Sequence, residues 1–281
     1  MNRRTFKNLF NTYDRAIVEV RQRQYNEAVR LLTMCAQKGF APACVPLSSI
    51  YYFGKGRTPD VEKAIYWLQI AAGKGGHAAS VNLANIYYEM GNTKENNEKA
   101  WAYYTAAASL DSRDYFYLGR MLYEERIDLD TVKQQVEEQV GKAEFFFHDS
   151  LCAGMAESAI YIWRMYRDAD VDLADAYFRD GEMLLKTPKE YNNFAWELYR
   201  IGEAEKALPY IDKCLSLTFE QGIEHPAYLD TYGEILYALG RREESEQAFR
   251  KCLHLCRERD ERKRVKETLE KMTKKFEAYE K

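Results

Sequence analysis

The run Leu47-Ser48-Ser49-Ile50-Tyr51-Tyr52-Phe53-Gly54-Lys55-Gly56, followed by Asp60, then Lys63-Ala64-Ile65-Tyr66-Trp67-Leu68 and Ala71-Ala72, decides the architecture of this chain. Much of it returns at a fixed interval. Ala64 lies 36 residues after Ala28 and 36 before Ala100, and Ile50-Tyr51-Tyr52 comes back as Ile86-Tyr87-Tyr88. Leu32 and Leu68, Gly39 and Gly75, and Ala36, Ala72 and Ala108 keep the same step. A period in this range marks stacked supersecondary units. One unit cannot bury its own apolar face, so its neighbours supply the missing core and the product is an elongated solenoid with an extended groove.

Inside the units the pattern is helical. Phe6, Leu9, Phe10, Tyr13, Ala16, Ile17 and Val20 form one stripe, and Tyr25, Ala28, Val29, Leu32, Cys35 and Ala36 form the next. Gly39, Gly75 and Gly154 stand where second helices should end, because glycine reaches the positive φ that such a stop uses. The expected fold is all-α: a right-handed superhelical α-solenoid of antiparallel helix pairs with a C-terminal capping helix.

From Leu47 to Gly75 the residues resemble the Sel-one-like repeat, whose pattern runs L-G-x-x-Y-x-x-G-x-G, an Asp, K-A-x-x-W and a paired Ala ending in Gly. The next copy keeps Leu83, Ala84, Tyr87, Lys99-Ala100, Tyr103 and Ala107-Ala108, with Glu89-Met90-Gly91-Asn92 in place of the double-glycine turn. A third begins at Leu118-Gly119 and Tyr123, then carries an insertion at 128–142 before Ala143, Phe146 and Gly154. Thr131 with Gln134 resembles a capping box, so the insertion is expected to lengthen the second helix. A fourth copy shows Ile162, Met165-Tyr166, Ala174, Tyr177 and Leu184.

After Pro188 the pattern changes. Phe194-Ala195, Leu198, Gly202, Ala207 and Cys214-Leu215, then Tyr232-Gly233, Leu236, Leu239-Gly240, Ser245, Phe249 and Cys252-Leu253, resemble two tetratricopeptide repeats. Residues near Thr218 to Glu224 are extra loop, and Pro209 is expected near the start of its helix, where amides are free. Residues 1–187 are therefore read as a Sel-one-like array and 188–256 as two tetratricopeptide-like repeats. Residues 257–281, with Val265, Leu269, Met272, Phe276 and Tyr279 on one stripe, are read as an amphipathic capping helix.

The formal charge of −3 gives no global basic field for nucleic acid or an acidic membrane. Residues 1–60 carry a net +6 and residues 61–186 a net −8, so charge is divided along the chain. The six cysteines contain no C-x-x-C pair and read as reduced, buried thiols. Asn2-Arg3-Arg4-Thr5-Phe6-Lys7 imitates a twin-arginine signal, but Asn8, Asn11, Thr12, Asp14 and Arg15 break any apolar stretch. A cytoplasmic protein without a membrane anchor is expected.

Motifs of chemistry fail on context. Gly73-Lys74-Gly75-Gly76-His77-Ala78 matches a phosphate-approach fingerprint, yet it follows a helix where a strand is required. Asp168-Ala169-Asp170-Val171-Asp172 opens like a calcium loop, but the sixth position is Leu173 and the twelfth is Arg179. His77, His148, His225 and His254 are scattered without metal or catalytic spacing. No cofactor, metal or catalytic residue is expected. The cysteine-rich branch of the Sel-one-like family implies a disulfide per repeat and β-lactam chemistry. Here Ser80 replaces the second cysteine of the next unit, so that hydrolase activity does not carry over.

If first helices line the concave wall, as the tetratricopeptide resemblance implies, aligned positions form two columns. One holds Tyr52, Tyr88, Tyr123, Arg167, Tyr199 and Tyr237; the other holds Ser49, Asn85, Arg120, Arg164, Trp196 and Glu234. Aromatic and Arg side chains dominate binding hot spots, while the same tyrosines also serve packing between repeats. A carboxylate clamp would use Asn192, but Asp230 and Glu234 oppose an anion there. The expected function is a non-catalytic adaptor binding a protein or peptide in this groove. The alternatives are a regulatory subunit or sensor acting on an enzyme or a nucleic-acid-bound complex.

Overall fold

The computed structural model describes residues 3–127, 143–222, 224–256, 262–263 and 265–270, and their regular structure is entirely helical. Internal contacts divide the chain into two compact units, Met1–Asp149 and Ser150–Lys281. The change of repeat pattern at Pro188 falls inside the second unit.

In the first unit α1 (Arg3–Arg21) packs on α2 (Tyr25–Gln37), α3 (Cys44–Tyr52) on α4 (Val61–Ala72), and α5 (His77–Glu89) on α6 (Lys94–Ala108). α7 (Tyr115–Tyr123) and α8 (Ala143–Cys152) follow, the end of α8 from Ser150 falling in the second unit. Short connections make each pair antiparallel. The periodic alanines lie in the second helices, and Ala28, Ala64 and Ala100 are each 0% exposed. A methyl at such a position lets two helices approach closely enough for their ridges to interlock. Larger side chains pack both within and between pairs: Tyr87 of α5 stacks on Tyr103 of α6 at 6.0 Å, and Tyr104 of α6 on Tyr117 of α7 at 4.8 Å.

Helix ends follow local chemistry. Asp60 caps α4 by accepting the Lys63 N–H at 2.9 Å, and Thr93 caps α6 by accepting from the Asn96 N–H at 3.3 Å. Gly39, Gly75 and Gly154 have φ of 89°, 77° and 96°, the left-handed stop expected of them. The Gly73-to-Ala78 motif is thus a helix-to-helix turn between α4 and α5.

In the second unit α9 (Ser158–Tyr166) packs on α10 (Val171–Met183), α11 (Pro188–Arg200) on α12 (Ala204–Glu220), and α13 (Pro226–Ala238) on α14 (Arg242–Leu255). α11 starts with a full capping box between Thr187 and Glu190, with Pro188 in its first turn. Asp170, from the calcium-like motif, caps α10 by accepting the Leu173 N–H at 3.0 Å. Trp163, Phe178, Phe194 and Tyr210 form a chain of edge-on aromatic contacts at 4.9–5.6 Å.

Two sequence expectations change, and two others fall largely outside the described residues. Pro209 is the sixth residue of α12, past the free amides of the first turn, so it removes an internal helix hydrogen bond to exposed Glu205. Cys152 is exposed, unlike the other five cysteines. Residues 128–142 lie outside the described residues, as does most of 257–281. Within that tail, residues 265–270 are helical, and Val265 and Leu269 pack on Phe249 and Cys252.

Gly181 shows how tight the pairing is. A Cβ there would sit 2.5 Å from Ala159 Cβ and 2.9 Å from the Ala156 carbonyl oxygen. Gly181→Ala is expected to destabilise the second unit by about 1–3 kcal/mol, the usual cost of overpacking. Chemical denaturation checks this, and an unchanged midpoint would contradict close approach of α9 and α10.

Candidate functional site

α3 and α5 are first helices of successive repeats, and between them opens a cleft of about 530 Å³. Its rim carries Ser49, Tyr52 and Phe53 from the α3 side and Asn82, Asn85 and Glu89 from α5, over an apolar floor that includes Leu68 and Ile86. Phe53 is 56% exposed. Asn85 is fixed from behind, its Oδ1 accepting the Tyr104 hydroxyl at 2.6 Å. Two carboxamides one helical turn apart and a serine hydroxyl match the donors and acceptors of an extended peptide backbone.

The tyrosine column has a second purpose. Tyr52 donates its hydroxyl to Glu89 of the next repeat at 2.7 Å, Tyr88 donates to Glu124, and Tyr199 donates to Glu234 at 3.0 Å. Tyr161, outside the column, repeats the relation with Glu197 at 2.8 Å. Donor and acceptor are 35 to 37 residues apart, one repeat in each case. The hydroxyls therefore tie neighbouring repeats together. Arg126 adds to the tie, donating to the Tyr88 carbonyl at 2.8 Å with its guanidinium 3.6 Å from the centre of that ring. Arg120 is buried, 4.6 Å from the centre of the Tyr88 ring, and Tyr123 is half-buried against Phe147 at 6.3 Å.

In the second unit Arg164 donates to the Ile201 carbonyl at 2.7 Å and to Glu203 at 3.1 Å, and Arg167 donates to Glu203 as well. Both arginines pin the turn between α11 and α12. Trp196 is 38% exposed, with its ring 5.4 Å from Tyr199. Asn192 Oδ1 is buried with no hydrogen-bond partner among the described residues. Asp230 and Glu234 are half-buried on α13, and Tyr237 packs on the cluster around Leu229 and Phe249.

Sequence columns missed two features. Of the glutamate acceptors only Glu234 stood in a column; Glu89, Glu124 and Glu197 did not, although each directly follows a column residue, Tyr88, Tyr123 and Trp196. A second cavity of about 460 Å³ lies between α12, α13 and α14, lined by Leu215, Phe219, His225, Leu229 and Tyr232, with Lys251 and Glu224 ion-paired at its edge. The only signal for it was the extra length near Thr218 to Glu224. Among the described residues no cluster of three or more His, Cys, Asp or Glu is placed to hold a metal ion, and no helix is long and apolar enough to cross a membrane.

Helix pairs stacked by a one-repeat hydrogen-bond register define a helical-repeat protein. The chain carries two Sel1 repeats, at residues 41–76 and 77–112, and a tetratricopeptide repeat at residues 228–259. No curated protein matches it in sequence. Among solved structures it is similar to a tetratricopeptide repeat protein from Parabacteroides merdae, with 14% identity, a TM-score of 0.50, and 95% of this chain and 99% of that one covered. It is also similar to a protective antigen of uropathogenic Escherichia coli with 17% identity and a TM-score of 0.47, covering 82% of this chain and 49% of the antigen. The chain thus spans about half the length of that antigen. A Sel1 repeat protein from Oxalobacter formigenes gives 18% identity and a TM-score of 0.47, with 66% and 75% covered. At these identities the likeness is one of fold. Repeats of both families typically serve as protein-interaction scaffolds.

Burial, helped by the Glu89 carboxylate, pushes the Tyr52 phenol from 10.0 up to about 12. A phenol raised on folding contributes stability that is whole below its unfolded value and lost as pH climbs through the folded one. Stability should therefore fall between about pH 10 and 12, and Tyr52→Phe should flatten that fall while lowering stability at neutral pH by about 1 kcal/mol. Denaturant midpoints across the alkaline range test it. Identical slopes for variant and wild type would refute the tie to Glu89.

Proposed function

We propose that this protein is a non-catalytic scaffold that binds a peptide segment or partner protein on the first-helix walls of its repeats. The observation that carries the reading is the cleft between α3 and α5, because it combines open volume, an apolar floor and polar groups held in place. Asn85, Ser49 and Asn82 would meet the main chain of a ligand, while Phe53 would take an apolar side chain. In the second unit Trp196 and the face of Tyr199 are the accessible anchors, with Asn192 beside them. Tyr88, Arg120, Arg164 and Arg167 support the walls from within, and Tyr123, Asp230, Glu234 and Tyr237 complete them.

The charged groups on these walls are engaged in ion pairs and hydrogen bonds with one another, an arrangement suited to rigidity more than to proton transfer. Preformed walls limit the ordering cost of binding. The tail reading fits the same picture: Val265 and Leu269 cover the end of the last helix pair, as a capping segment must in a repeat array.

Selection from a random peptide library by the intact protein should return a shared sequence pattern. Ser49→Arg, which fills the cleft, and Trp196→Ala should each weaken binding to peptides of their own unit about tenfold, with helical circular dichroism unchanged. Binding that survives both substitutions would remove the first-helix walls as the site.

A further inference from the structure

The last turn of α14 places two thiols side by side. Cys252 and Cys256 are one helical turn apart, with their Sγ atoms 3.9 Å from each other and each residue 1% exposed. The helix stops at Leu255, and Cys256 has left helical geometry with φ −60° and ψ 118°. The second sulfur thus sits just beyond the helix, on a residue whose N–H still donates to the Cys252 carbonyl at 2.9 Å. Four residues of helix rise span about 6 Å, within the Cα range that a disulfide accepts. Val265 and Leu269, from the segment that follows, join Leu229 and Phe249 in the apolar cluster around both thiols.

We infer that Cys252 and Cys256 form a thiol–disulfide site, oxidised by a small-molecule disulfide of the glutathione type when the segment carrying Val265 lifts. One thiol, as its thiolate, attacks a sulfur of the reagent and releases one thiol product, leaving a mixed disulfide. The second protein thiol then displaces the remaining half. Two protein thiols become one disulfide, the reagent disulfide is reduced to two thiols, and the two protons lost by the protein end on those thiols. The sulfurs need close only from 3.9 Å to about 2.0 Å.

The other cysteines provide internal controls. Burial raises the Cys35 and Cys44 thiols and pushes Cys214 up to about 12, which keeps them protonated and unreactive. Cys152 is exposed and belongs to a different helix, so it should stop at a mixed disulfide.

The full-length native protein is treated with oxidised glutathione, quenched by alkylation, digested and mapped by mass. The expected product has Cys252 and Cys256 joined, with the loss of two hydrogens, and one glutathione on Cys152. Val265→Ala should speed closure of the pair about fivefold by easing the covering segment away. Cys252→Ser should leave a mixed disulfide on Cys256. The proposal is overturned if the pair remains reduced in wild type and Val265→Ala after Cys152 has fully reacted, or if each thiol retains its own glutathione. An unchanged rate in Val265→Ala overturns the gating by that segment.

Discussion

A small residue on the second helix, alanine in five of the described pairs and serine in a sixth, is the constraint on which the rest of this structure depends. Ala28, Ala64 and Ala100 in the first unit, and Ala174 and Ala207 in the second, are wholly buried on second helices. Where the series reaches α14, Ser245 takes the place, its hydroxyl donating to the Gly233 carbonyl at 2.8 Å so that the polar atom is satisfied. Facing positions are thinned further. A Cβ on Gly233 would lie 2.7 Å from the Phe249 ring, and one on Gly119 would lie 3.0 Å from Phe147. The space these small residues leave is taken by aromatics within the pairs, such as Trp163 on Phe178 and Phe194 on Tyr210, and by others between pairs, such as Tyr104 on Tyr117.

The hydrogen-bond register has its own cause: tyrosines on the first helices carry a hydroxyl that needs an acceptor when buried. The glutamates one repeat ahead supply it for Tyr52, Tyr88, Tyr161 and Tyr199. A bond to a charged acceptor is stronger than one between neutral groups, and stacking repeats also depends on nearest-neighbour terms. The same geometry therefore stabilises each interface and fixes the offset between successive first helices. It also uses up the polar tips of residues that would otherwise be candidates for ligand contact.

The helix pairs and their buried alanines were legible because period and small-residue spacing express backbone packing directly. Columns of first-helix residues were legible as positions, but periodicity carries no information on where a side chain finds its partner. Arg164 and Arg167 align with groove positions yet turn to Glu203, which precedes α12 and gives its carboxylate to these arginines and not to the helix amides. Pro209 was misplaced for a related reason: sequence locates a helix start only to within a turn. The cavity between α12 and α14 arose from extra residues around Thr218, an irregularity that breaks the repeat and so escapes any argument from it.

Under the proposed function, specific recognition belongs where the register relaxes. Regular interfaces resemble one another and offer a ligand little to distinguish them. At the α3–α5 step, the second column presents Ser49 and Asn85, small or amide side chains where Arg120 and Arg164 fill the equivalent places further on. Lacking a long side chain, that step keeps open volume between two tied helices. In α11 the corresponding residue is Trp196, too large to fold into the seam already occupied by Tyr199 and Glu234, and it remains at the surface. One wall offers a recess and the other a projection. Under the proposed function, a ligand of the first unit must present an apolar side chain to the recess, and a ligand of the second unit a flat or concave face to the indole, each a stronger restriction than the repeat fold alone imposes.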